Sequence, residues 1–236
     1  MKFTSIFVLL GILIASLLNS CTSSSNRTEN RYAGTEYPLE YFDQIKLEGG
    51  YTVEIQQGDE PSLIIKASEN DHKKIAVSVE NDVLYVKKRS NKITTEEIKL
   101  EIIVSALKRI DVEGGVYLTT IGYIEVDELN MLFQGGAHVR MQTKAELIKV
   151  KTEGGANIEL EGVTDQLFAV TEGAGNIDAD KLKARVVTCR VSGVGNATVY
   201  ATDELNATIE GVGRIGYRGD PAVNKTVSGI GTIHRR

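Results

Sequence analysis

A short glycine motif returns through this chain in a single phase. It reads EGGYTVEI from Glu48, EGGVYLTT from Glu113, QGGAHVRM from Gln134, EGGANIEL from Glu153, EGAGNIDA from Glu172, SGVGNATV from Ser192, EGVGRIGY from Glu210 and SGIGTIHR from Ser228. With the first glycine of each as a marker, Gly114, Gly135, Gly154, Gly173, Gly193, Gly211 and Gly229 stand 21, 19, 19, 20, 18 and 18 residues apart. A fixed period near twenty makes each repeat one turn of a solenoid, since a unit that short buries its apolar face only against its neighbours.

The columns around the marker carry the same message. Two, four and six residues before it lie Phe133, Met131 and Leu129, then Thr152, Val150 and Ile148, then Thr171, Ala169 and Leu167. Val191, Cys189 and Val187 follow, and then Ile209, Ala207 and Leu205. Alternation with period two marks a strand with one buried face. Four and six residues after the marker the pattern resumes, as in Val139/Met141, Ile158/Leu160 and Ile177/Ala179, so a second strand leaves each corner. Two residues after the marker stand Ala137, Ala156, Gly175, Gly195, Gly213 and Gly231. A tight corner over a narrow core predicts small residues there, with glycine also allowing positive φ. The alternative is an antiparallel sandwich with regular turns. Hairpins, however, would not repeat one corner in one phase.

Residues 37–105 are less regular. Phe42 to Leu47 leads into the first corner, Val53 and Ile55 alternate after it, and further strands are expected at Leu63/Ile65/Ala67, Ile75/Val77/Val79, Leu84/Val86 and Ile98/Leu100/Ile102/Val104. Asn81-Asp82 reads as a hairpin turn and 90–97 as an exposed loop. This stretch is expected to be either degenerate coils or a separate β layer capping the regular coils of 106–236.

The first twenty residues read as a processing signal. Lys2 precedes an apolar run from Ile6 to Leu18, shorter than the roughly 20 apolar residues of a membrane-spanning helix. The run ends at Leu18-Asn19-Ser20-Cys21, which resembles the lipobox at which bacterial lipoproteins are cut before a lipidated cysteine. Asn19 is an unusual occupant of that motif. Cys21 is thus the expected lipidation site, residues 21–36 a polar linker after it, and 37–236 a single domain. No aspartate follows Cys21, which makes outer-membrane placement the expectation, on either face.

Composition narrows the function. The formal charge is −5 and becomes −6 once residues 1–20, with their one lysine and no acid, are removed. That argues against nucleic acid as a partner. With Cys21 lipidated only Cys189 remains, so no disulfide framework exists within the chain.

The G-x-G-x-I corners, as in GAGNI and GVGRI, resemble those of the head GIN domain family, Bacteroidetes proteins labelled putative auto-transporter adhesins and formerly a domain of unknown function. FDQIKLEGGYTVEIQQGD, IIKASENDHKKIAVSVENDVLYVKK and the closing GDPAVNKTVSGIGTIHRR are similar to it as well. The likeness covers roughly Tyr41 to Arg236. It implies an all-β, right-handed parallel β-solenoid, commonly an exported lipoprotein, and it brings no catalytic residue.

Candidate sites are few. The column before the marker faces outward, and its Glu113, Glu153, Glu172 and Glu210 form a candidate face for a divalent cation or cationic ligand groups. The plainer reading is a solvated acidic stripe, in which stacked Glu153 and Glu172 repel. Asn157, Asn176 and Asn196 share one column and are expected to stack as a structural ladder. Cys189 reads as a small core residue. His72, His138 and His234 lie in no ligand spacing, so no zinc site, and no cofactor, is expected.

The expected function is a non-catalytic envelope module for adhesion or for binding carbohydrate or a protein surface, anchored to the membrane by its lipid. The alternatives are a structural, lipid-associated or stress-associated envelope protein without a small ligand, and a polysaccharide-active β-helix enzyme. The last would need clustered acids or an Arg/Lys base in a groove, whereas the outward positions show only the acidic column and Trp is absent. A last coil with no capping helix adds homo-association through a strand edge as a further expectation.

Overall fold

The computed structural model describes residues 34–89 and 97–236. The signal, Cys21 and most of the linker lie outside the described residues, as do all but Glu97 of the loop expected at 90–97. The described chain is a parallel β-solenoid of about five turns with a less regular N-terminal part.

The regular coils are β7 (Arg109–Thr152), β8 (Gly155–Thr171), β9 (Ala174–Val191), β10 (Val194–Ile209), β11 (Val212–Arg218), β12 (Ala222–Val227) and β13 (Ile230–Arg235). β7 runs through a full turn and beyond before it breaks at the next corner. Every pairing among these strands is parallel, which excludes the antiparallel sandwich. The register follows the motif column by column: Ala156 faces Gly175, Gly175 faces Gly195, Gly195 faces Gly213 and Gly213 faces Gly231. The inward columns are buried from Leu129 to Ile209, including Thr152 and Thr171.

Why glycine marks the corner is visible in the stack. A Cβ on Gly193 would lie 2.0 Å from the Gly173 carbonyl oxygen, and one on Gly211 would lie 1.9 Å from that of Gly193. Each marker thus sits directly over the last, and a side chain would have to pass through backbone. Positive φ belongs to the early markers only, Gly49, Gly114 and Gly135. The second glycine differs from expectation. Gly175, Gly195, Gly213 and Gly231 are not in the left-handed region. They are glycine because the backbone of the preceding coil occupies the Cβ position, at 2.0 to 2.4 Å.

Along the solenoid the corner changes hands. On its inner side Tyr51, Val116, Ala137 and Ala156 give way to four glycines. The outer position, one after the marker, is glycine at 50, 115, 136 and 155, then Ala174, Val194, Val212 and Ile230. Apolar bulk leaves the interior at this corner and reappears outside, where Val194 is 60% and Ile230 74% exposed.

The N-terminal part continues the sheet of the regular coils, with antiparallel strands added to it. β1 (Thr35–Pro38), β2 (Gln44–Gln57), β3 (Ser62–Lys66), α1 (Glu69–His72), β4 (Ile75–Glu80), β5 (Val83–Lys88) and β6 (Lys99–Val104) precede the regular coils. β2 is the first coil, parallel to β7 with Gly49 opposite Gly114. On its other side β5 and β6 also run parallel to it, so they continue the solenoid although they come later in the chain. β4 pairs antiparallel with β5, β3 with β6 and β1 with β3, so these strands extend the same sheet rather than forming a separate layer. β1 begins at Thr35, two residues ahead of the domain start read from sequence. Asn81 and Asp82 make the expected hairpin turn between β4 and β5, with φ of 51° and 62°. Two positive φ values in a two-residue loop suit the right-handed twist of the strands.

Candidate functional site

The outward acidic column is threaded with cations. Lys46 Nζ lies 3.1 Å from Glu113, and Lys87 pairs with Glu48. Lys151 bridges the stacked Glu153 and Glu172 at 2.7 and 2.9 Å, which removes the repulsion their stacking implies. Gln134 Nε2 donates to Glu153 at 2.7 Å, and Arg190 reaches Glu210 at 2.6 Å. Hydrogen bonds from Lys151 and Gln134 hold the Glu153 carboxyl below its ordinary range. All four glutamates of the candidate face therefore have a basic partner, and no cluster of three metal-ligating side chains occurs among the described residues.

The asparagine column is partly a ladder. Asn196 Nδ2 donates to Asn176 Oδ1 at 3.0 Å. Asn157 turns the other way, to His138 Nδ1 at 3.4 Å, and His138 stacks on Tyr117 with ring centres 5.0 Å apart. The column thus continues as aromatic stacking toward the N-terminal coils. A second asparagine pair, Asn224 to Asn206 at 2.9 Å, was not foreseen. Cys189 is buried, and burial pushes its thiol up to about 12. It is a core residue with no nucleophilic character at neutral pH.

Another feature escaped the sequence reading. Each coil bends again about eight residues past the marker, and Gly122, Gly162 and Gly219 take positive φ there. Between this bend and the next lies a short side of the solenoid, hollowed into a groove of about 650 Å³. Its floor is made of small residues, Ala145, Thr164, Ala184 and Thr202. Along it Lys144 pairs with Glu125 at 2.6 Å, and Arg185 lies 3.6 Å from Asp165 and 3.1 Å from Asp203. Asp127, Glu146 and Lys183 also line the groove and form no ion pair among the described residues. At one end Lys144 Nζ sits 4.8 Å from the centre of the Tyr123 ring, beside exposed Val163. A signal for this groove exists in the sequence. Eight residues before successive markers stand Asp127, Glu146, Asp165, Arg185 and Asp203, with Val126, Ala145, Thr164, Ala184 and Thr202 one earlier. Counted forward from the preceding marker the same column falls out of phase, because the coils are 18 to 21 residues long.

The groove can hold a flexible polar chain. Unpaired carboxylates and an ammonium suit hydroxyl groups, and an exposed tyrosine offers a flat apolar face.

Comparison with known proteins gives the same architecture. The family described as "Putative auto-transporter adhesin, head GIN domain" matches residues 41–221. A solved structure described as a putative adhesin from Bacteroides fragilis is 25% identical, with a TM-score of 0.84 over 88% of this chain and 98% of its own. A second putative adhesin, from Parabacteroides distasonis, is 20% identical, with a TM-score of 0.72 over 87% and 97%. A third structure, described as a putative lipid binding protein from the same species, is 23% identical, with a TM-score of 0.67 over 88% and 97%. No curated protein matches the chain.

Proposed function

This chain belongs to the head GIN domain family, and from that premise we propose that it is a non-catalytic, adhesin-like module of the cell envelope that binds glycan chains along the Tyr123–Arg185 groove. The observation that carries the glycan reading is the unpaired set Asp127, Glu146 and Lys183, set over a small-residue floor beside Tyr123. Carboxylates left without cations in a surface groove are acceptors for paired sugar hydroxyls. Cys21 carries the lipid that holds the module at the outer membrane, with the polar stretch that follows it as the tether.

A glycan array probed with the full chain in detergent tests the binding. At least one neutral oligosaccharide class is expected to bind, and Asp127→Ala with Glu146→Ala should weaken it roughly tenfold, the loss of about two hydrogen bonds. A blank array, or binding indifferent to the double substitution, overturns the groove assignment. Palmitate labelling that vanishes in Cys21→Ala is the expected mark of the anchor, and unlabelled wild-type chain would remove it.

A further inference from the structure

Charge is unevenly spread along this molecule. The chain carries −5, yet residues 205–236 hold five Lys or Arg against two acids, Glu210 and Asp220. Two of the five cations are neutralised where they stand: Arg218 reaches Asp180 at 3.2 Å, and Arg235 reaches Asp220 at 3.2 Å. Among the described residues Arg214 and Arg236 have no side-chain carboxylate partner. Both rim one hollow of about 330 Å³ on the face that leaves the marker corner, together with His234, Asn196 and Thr198.

The floor of that hollow is Gly216, and the fold does not demand a glycine there. The other glycines of the last three coils have a backbone carbonyl where a Cβ would go, at 1.9 to 2.1 Å. At Gly216 the nearest atom is the Arg236 Cδ at 2.8 Å, in a flexible side chain, and the position has no positive φ. Its neighbours in register are Thr198 in the coil before and His234 in the coil after, so a side chain is the rule in this column. Glycine here leaves room for the Arg236 stem to lie across the strand, where a larger residue would displace it, and so keeps Arg236 on the same rim as Arg214. The Thr198 hydroxyl on the rim donates to Asp178 at 2.5 Å.

We infer that the Arg214–Gly216–Arg236 hollow binds a carboxylate or sulfate group of an acidic polysaccharide. Paired guanidinium groups recognise planar or tetrahedral oxyanions through several charge-assisted hydrogen bonds, and the His234 ring N–H adds a further donor. The inference rests on the glycan-binding reading, extending it from hydroxyl recognition in the groove to anion recognition at the C-terminal coils.

Titration of the full chain in detergent with polygalacturonate and with dextran sulfate tests it. Binding that weakens with salt is expected, and Arg214→Ala should lower the affinity about tenfold, the loss of one charge-assisted contact. Gly216→Thr removes no charge and copies the residue one coil earlier. It should fold as the wild type does by circular dichroism and still lose binding to a similar extent. Absence of binding to both polyanions overturns the inference, as does binding that survives both substitutions. Binding to phosphatidylglycerol vesicles alone, with neither polyanion recognised, overturns it in favour of a lipid phosphate. Neutral-glycan binding in the Asp127 groove that persists while the polyanions fail leaves the parent reading standing and removes this one.

Discussion

At the scale of single residues, the solenoid is governed by what the coil below leaves free. The marker position of one coil is filled by the carbonyl of the last, which is why glycine recurs whether or not φ is positive. The inward column two residues before the marker has the opposite freedom, and it holds Phe133, Thr152, Thr171, Val191 and Ile209. Two of these are threonines whose buried hydroxyls meet no partner, and they stack directly on each other. A buried hydroxyl without a hydrogen bond costs about 1–3 kcal/mol, while valine has nearly the same shape. Thr152→Val with Thr171→Val is therefore expected to raise stability by about 1–2 kcal/mol, read as a higher urea midpoint at unchanged m-value. A lower midpoint would mean that the hydroxyls are satisfied in solution. The burial of this column was legible, because period-two patterning depends on one strand alone. The missing partners were not, since they depend on what a neighbouring coil presents.

Elements show the same division. The Asn81-Asp82 turn is encoded locally and was readable from two residues. The nesting of β2 between β5/β6 and β7 was not readable, because residues 90–96, which join β5 to β6, contain no glycine to mark a corner. Nor was the groove at the short side, whose residues come from four or more coils. Cross-coil charge pairing belongs here too. β3, β6 and β2 are laced by Lys66–Glu101 at 2.6 Å, Lys99–Glu101 at 3.1 Å and Lys99–Glu54 at 2.9 Å. Partial burial acts to raise the Glu101 carboxyl, but hydrogen bonds from Lys66 and Lys99 outweigh it and hold the group below its ordinary range. A depressed folded value means the stabilisation is complete above the unfolded value of about 4.3 and is lost as pH falls through the folded one. The melting temperature should accordingly be flat above about pH 5 and fall below about pH 4. Glu101→Gln should cost about 0.5–1 kcal/mol at neutral pH, a modest figure for partly exposed ions, and should converge on the wild type in acid. Parallel curves at every pH would show that the lacing contributes nothing.

For the whole molecule, stability is a sum over neighbours rather than the property of one core. β8, β9 and β10 each have a parallel partner on both sides, and their interiors are lined by fully buried Ile158, Leu167, Ile177, Val187 and Leu205. Among the described residues β13 pairs only with β11, β12 only with β10, and β1 only with β3. The inner side of the marker corner also thins in that direction, from Tyr51 to Gly231, so the C-terminal coils bury less at this corner than the early ones do. Local opening should then cost least at the two ends and most in the middle. Native-state hydrogen exchange is expected to show this as a gradient, with the amides of β12 and β13 exchanging first, those of β1 and β4 next, and those of β8 and β9 only near global unfolding. The Arg214–Arg236 hollow spans the faster end, where β10, β11 and β13 meet. If a polyanion bridges those strands, its addition should slow exchange in β11 and β13 and leave β8 untouched, because a ligand stabilises only the openings that destroy its site. Uniform exchange along the coils would mean that the solenoid opens as one cooperative unit, and protection that rises equally everywhere would place the ligand elsewhere.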